Sequence, residues 1–206
     1  MEPRLERLAV IDFETSGLSP ASGCRATEIA IVLLEDGAIV DRYQSLMNAG
    51  VVVPPFIEQL TGISNAMLRA APPARHVMAE AAAFVGATPL VAHNASFDQK
   101  FWDAELARLG LARRQEFACS MRLARRLLPD VPNHKLGTLA RQLALPATGR
   151  AHRALADAEM AAWLVAHLER MLRERHGIAR VDHALLCRLG NVAKARMPDF
   201  LNRLAT

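Results

Sequence analysis

An α/β architecture, a mixed sheet flanked by helices, follows from three features of this 206-residue sequence. Two apolar runs joined by a tight turn form an antiparallel meander near the start of the chain. Short apolar strands then alternate with amphipathic helical segments, a pattern that covers both faces of a sheet. Hydrophobic residues make up 51% of the chain but aromatic residues only 5%, so the core between these layers is aliphatic.

LAVIDFE, residues 8–14, is too short and too apolar for an amphipathic helix and reads as a buried strand. Gly17, Pro20 and Gly23 make the next stretch a loop. TEIAIVLLEDGAIVDRYQSLM, residues 27–47, reads as two strands around a Glu-Asp-Gly turn. VPPFIEQLTGISNAMLRAAPP then mixes prolines with short helical pieces, and Arg75 to Gly86 is helical with a glycine stop. PLVAHN is a second buried strand, followed by a helix from about Phe97 to Leu109 that Gly110 ends. FACS supplies another strand and leads into MRLARRLL, a helix closed by Pro129. KLGTLARQLAL is helical up to Pro146, with QLALP as its buried last turn. ALADAEMAAWLVAHLERMLRER holds a helical period to Gly177, and the last thirty residues add one or two helices.

No run of about 20 apolar residues is present, so no membrane-spanning helix is expected. The start, MEPRLERLAVID, has neither the apolar stretch nor the cleavage signal of a secreted protein. Cys24, Cys119 and Cys187 are odd in number and widely spaced, which suits a reducing, cytoplasmic setting better than disulfides or zinc. The net charge of +4 is by itself a weak sign of an anionic partner. If four acids are metal ligands, 25 basic residues face 17 remaining acids, leaving +8 on the rest of the surface.

Residues two apart on a strand share a face, so Asp12 and Glu14 project together from the end of an apolar strand. A solvated strand end can carry such a pair. If buried, however, like charges force one acid neutral unless a cation intervenes, and oxygen-only ligands suit Mg²⁺ or Mn²⁺. In HNASFDQKFW, Ser96 and Gln99 have capping-box spacing, which places Asp98 in a helix's first turn. The helix dipole alone would favour an acid there. In the third segment Asp157, Ala161, Leu164, Leu168 and Leu172 form one helical stripe, which puts an acid at a core-facing position. His152 stands just before that helix, where it can swing over the same site.

DFETSGL, HNASFD and HRALADA resemble, in order, the three motifs of the DEDDh, or DnaQ-like, 3′–5′ exonucleases, a family that includes polymerase proofreading subunits. LTGIS and the segments LARRLLP and LGTLARQL fit the same family, and the likeness runs from Leu8 to Leu172. Arg153 stands where the sister group has a tyrosine, so the histidine subclass is the one that matches. The resemblance implies a ribonuclease-H-like fold with a central mixed five-stranded sheet. Residues 1–176 would form the exonuclease domain, and 177–206 a helical extension packed on it or trailing it. It also implies two divalent metal ions, Mg²⁺ or Mn²⁺, held by Asp12, Glu14, Asp98 and Asp157, with His152 as general base.

The same resemblance makes Thr15, Ser16, Gly17, Leu18, Gly62, Ile63, Asn94 and Phe97 the substrate-binding candidates. Leu18 and Ile63 would pack on terminal bases, and Thr15 and Ser16 would bond near the 3′-hydroxyl. The expected substrate is the 3′ end of DNA, single-stranded or frayed, with release of nucleoside 5′-monophosphates in proofreading or repair. RNA trimming and a non-catalytic polymerase-accessory module are the alternatives. A polymerase subunit and a sliding clamp are candidate partners, the latter through QLALP (Gln142 to Pro146).

Overall fold

The computed structural model describes residues 6–204. The opening MEPRL and the last two residues of the expected extension lie outside them. Five strands form one mixed sheet: β1 (Leu8–Thr15), β2 (Ala26–Glu35), β3 (Ala38–Leu46), β4 (Leu90–Ala92) and β5 (Phe117–Cys119), in the order β3-β2-β1-β4-β5. Strand β2 runs antiparallel to both β1 and β3, whereas β1, β4 and β5 are parallel. The turn between β2 and β3 places Asp36 at φ 51° and Gly37 at φ 75°. That left-handed pair is what a two-residue hairpin on twisted strands requires.

Strand β1 sorts its side chains by parity. Leu8 and Val10 enter one apolar cluster, while Ala9, Ile11 and Phe13 enter the other. Helices α3 (Ala74–Val85) and α4 (Ala95–Ala107) cover the second face. The first face is covered by α5 (Ser120–Leu127), α6 (Leu136–Gln142) and α7 (Ala154–His176). Two short helices, α1 (Pro55–Thr61) and α2 (Asn65–Ala70), flank a small cluster of Val53, Ile63 and Leu68. The stripe predicted on α7 is present, with Ala161, Leu164, Leu168 and Leu172 all buried against β1 and β2. Helices α8 (His183–Asn191) and α9 (Met197–Asn202) add Leu185, Leu186, Leu189, Met197 and Leu201 to the same cluster.

Two local expectations are corrected. Helix α4 begins at Ala95, two residues before Phe97, and Ser96 is not its cap. The chain leaves β4 through Asn94 at φ 67°, and this left-handed residue starts the helix without a side-chain cap. Helix α6 ends at Gln142, so QLALP is not a buried last turn. Ala144 turns left-handed at φ 49°, and Leu143 and Leu145 lie half-buried against the core. Among the described residues no helix is long and apolar enough to cross a membrane, and the three cysteines are unpaired.

Leu168 has no exposed surface and lies midway along the α7 stripe. We expect Leu168→Ala to cost about 2–5 kcal/mol of stability through lost burial and the cavity it leaves. Urea unfolding followed by circular dichroism would measure that loss as a lowered midpoint at unchanged slope.

Candidate active site

The parity that sends Leu8 and Val10 into the core sends Asp12 and Glu14 to the same face, at the carboxyl end of β1. There the pairing with β2 slips one residue between Glu14 and Thr15. Such a bulge ends regular pairing and re-aims the strand beside a cavity. Asp98 comes from the first turn of α4, and the Phe13 backbone N–H donates to its Oδ1 at 3.1 Å. Asp157 comes from the first turn of α7 and accepts at Oδ2 from the His152 N–H at 3.1 Å. His152 has φ 59°, a left-handed conformation uncommon for a residue with a Cβ. That conformation reverses the chain just ahead of α7 and brings its ring to the acids.

Asp12, Glu14, Asp98, Asp157 and His152 all line one cavity of about 720 Å³. Among the described residues, one ligand atom each from Glu14, His152 and Asp157 lies within 4.8 Å of the other two. Burial and mutual repulsion govern the acids. The Asp12 carboxyl is held well above the usual carboxylate range, by burial first and then by Asp98, Asp157 and Glu14. Glu14 is pushed up to about 8 by burial and by Asp157 and Glu28, with Arg153 opposing. Asp98 is pushed up to about 8, chiefly by burial, against the bond from the Phe13 N–H. Asp157 is raised by burial and eased by the His152 N–H. Acids crowded so closely need positive charge to ionise together. The four carboxylates form an oxygen donor set that fits hard divalent cations.

Asn94 and Phe97 also line the cavity, whereas the other substrate-binding candidates lie outside its lining. Leu18 is 80% exposed, a bare apolar tip beyond the bulge. Ile63 is fully buried on Val53 and Leu68, so its side chain is not a surface on which a base can pack. Thr15 Oγ1 donates to the Gly17 carbonyl at 2.7 Å, and Ser16 Oγ accepts from Arg25 N–H at 3.0 Å. Gly62 has φ 74°, and a Cβ there would lie 2.7 Å from Nη1 of Arg150. The loop carrying His152 therefore touches the LTGIS loop through that guanidinium.

Several lining residues escape sequence reasoning. Lys135, Thr138 and Arg141 face the acids from the start and one side of α6. Their spacing of three was visible, but with no acid among them they read as a solvated helix face. His93 is pushed down to about 4 by burial. Its ring nitrogens lie 2.9 Å from Ser120 Oγ and 3.0 Å from the His134 carbonyl. With both ring nitrogens engaged, His93 acts as a neutral strut tying β4 to the loop before α6. A larger cleft of about 920 Å³ is lined by Trp102, Leu111 and Arg113 but lacks any of these carboxylates, so size does not identify the site.

The family model described as an exonuclease (RNase_T) matches residues 9–165. The 3′-5′ exonuclease DinG of Bacillus subtilis is 35% identical over 170 residues, 82% of this chain and 18% of that protein. The PolC-type DNA polymerase III of Halalkalibacterium halodurans is 34% identical over 167 residues, 81% of this chain and 12% of that protein. The chain thus spans less than a fifth of the length of either relative. Among solved structures, Exonuclease X in complex with 5′-overhanging duplex DNA aligns with a TM-score of 0.70 and 27% identity. That alignment covers 89% of this chain and 99% of the other. The nuclease domain of 3′hExo, a DEDDh family member bound to rAMP, shares the fold at TM-score 0.68 and 20% identity, over 82% of this chain and 93% of that one.

In the unfolded chain Glu14 and Asp98 ionise near 4.5 and 3.8, whereas in the metal-free fold both hold their protons to about pH 8. The folded state then binds more protons than the unfolded state, so its stability falls as pH rises through that interval. We expect Glu14→Gln to raise the thermal midpoint of chelator-treated protein at pH 8 and to change it little at pH 4. An equal shift at both pH values would show that charge is not the cause.

Proposed function

The chain belongs to the exonuclease family, in its DEDDh, DnaQ-like branch, and from that premise we propose that it removes nucleotides from the 3′ end of DNA as 5′-monophosphates. The observation that carries this reading is the convergence of Asp12, Glu14, Asp98, Asp157 and His152 on one cavity. In this reading Asp12, Glu14, Asp98 and Asp157 hold two divalent cations, Mg²⁺ or Mn²⁺. Bound there, the cations neutralise the phosphodiester and make a nearby water acidic enough to attack at neutral pH.

The chain's own groups do the rest. His152 is exposed, stands beside Glu14 and Asp157, and accepts the proton of the attacking water. Lys135 and Arg141, which line the same cavity, supply positive charge to the substrate's phosphates. Asn94 and Phe97 border the path of the terminal nucleotide, and Leu18 supplies an apolar surface that suits any base.

DNA is favoured because the relatives named above include a DNA polymerase, and the 27%-identical structure holds DNA. The need to bring a free 3′ end to acids set in a cavity favours a single-stranded or frayed terminus. A polymerase partner fits the same relative, in which the matching segment is 12% of a PolC-type polymerase. A sliding clamp fits less well, because Leu143 and Leu145 pack inward and QLALP is not a free peptide. In this reading residues 1–176 serve as the exonuclease domain and 177–206 as a helical extension, of which α8 and α9 pack on the core.

Asp12→Ala should reduce hydrolysis of a 3′-labelled single strand in Mg²⁺ or Mn²⁺ to background, and EDTA should do the same to the unaltered protein. Retention of more than about a tenth of the rate would remove Asp12 from the metal site. His152→Ala should lower turnover far more than metal affinity, as titration of Mn²⁺ against rate would reveal. Matched DNA and RNA strands, compared on the unaltered protein, should show faster loss of DNA.

A further inference from the structure

A fifth acid lies beside the four and was not among the candidates. Glu28 on β2 stands directly across from Glu14 in the sheet and has no exposed surface. Its Oε1 accepts from Gln44 Nε2 at 2.7 Å and from Arg153 Nη2 at 2.7 Å. Its Oε2 accepts from Arg153 Nε at 3.1 Å and from the Ala154 N–H at 3.0 Å. A carboxylate offers about four lone-pair sites, and four donors occupy them here.

We propose that Glu28 is a positioning residue for the active site rather than a metal ligand. Through Arg153 and Ala154 it fixes the start of α7, and so the placement of His152 and Asp157. The inference rests on the nuclease reading above. Its geometry is direct: one carboxylate grips the residue after His152 by a two-point contact and the next residue by its backbone. Residues 152–154 form the hinge between the loop and the helix. The left-handed His152 bonds to Asp157 of the same helix start, and the hydrogen bonds that join this segment to β2 run through Arg153 and Ala154. The Arg153 side chain is 32% exposed, and replacing it with Gln leaves Glu28 the donors of Gln44 and Ala154.

Glu28→Gln and Arg153→Gln separate positioning from charge. The first makes the carboxylate cluster less negative and the second makes it more so, yet both break the same grip. We expect each to lower kcat by about 10- to 100-fold at saturating metal, with KM changed little. The double variant should be no slower than the worse single, as for two groups acting as one unit. The Mn²⁺ concentration giving half-maximal rate should move in opposite directions in the two variants.

Amide hydrogen exchange at His152 in the metal-free protein provides a readout independent of cleavage. It should quicken in Arg153→Gln, read on protein whose circular dichroism matches that of the unaltered chain, and it serves alone if Glu28→Gln does not fold. Unchanged His152 exchange, or full kcat in Arg153→Gln with only the metal requirement shifted, would overturn the positioning role. An unaltered protein that cuts no 3′ end would defeat the nuclease reading, while the exchange comparison would still decide the grip.

Discussion

Repulsion among carboxylates is the constraint around which this molecule is built. Asp12 is raised by burial and by Asp98, Asp157, Glu14 and Glu28 together, so four neighbouring acids oppose its ionisation. Nothing in an aliphatic core would gather these groups unaided. The fold does it with backbone donors and arginines: Phe13 N–H on Asp98, His152 N–H on Asp157, Arg153 on Glu28. A second bidentate pair, Arg25 on Glu105, braces the turn after β1 from the far face, and Arg25 also reaches the Ala49 carbonyl. Neither arginine removes the repulsion. They fix the walls so that the acids cannot drift apart to relieve it, and a bound cation then finds its ligands already assembled.

Much of the fold was legible because apolar periodicity is a local signal. The sequence read alone placed β1, the β2–β3 hairpin and the α7 stripe, and it put Asp12 and Glu14 on one face. The family motifs supplied the five-stranded sheet and the grouping of the four acids with His152. Where reading failed, the deciding contact was distant in sequence. Ser96 and Gln99 have the spacing of a capping box, but the left-handed turn at Asn94 starts the helix earlier, at the end of a strand that pairs with β1. Ile63 looks like an apolar surface for a base until Val53 and Leu68 close over it. Glu28 sits inside the run TEIAIV and reads as one polar residue in a strand. Its donors lie 16, 125 and 126 residues away. Lys135 and Arg141 were visible as basic residues, yet only tertiary folding turns them toward the acids.

The charge balance of the whole chain also takes on meaning once the acids are placed. A net charge of +4 is modest for a partner of nucleic acid, but it averages a negative pit with a positive surround. Lys135 and Arg141, both exposed, line the same cavity as the acids, and Arg150 bridges two loops. An approaching polyanion therefore meets cations there as well as carboxylates.

The length of α7 carries a mechanical consequence. Its 23 residues form a rod about 35 Å long, with Asp157 near one tip and the Gly177 cap at the other. A rotation of about 2° about the capped end would displace the working tip by about 1 Å, an error large enough to slow a reaction that depends on alignment. The buried leucines along the rod thus act as bearings as well as ballast. Loosening one far from the acids would blunt the aim of the chemistry before it unfolded the chain.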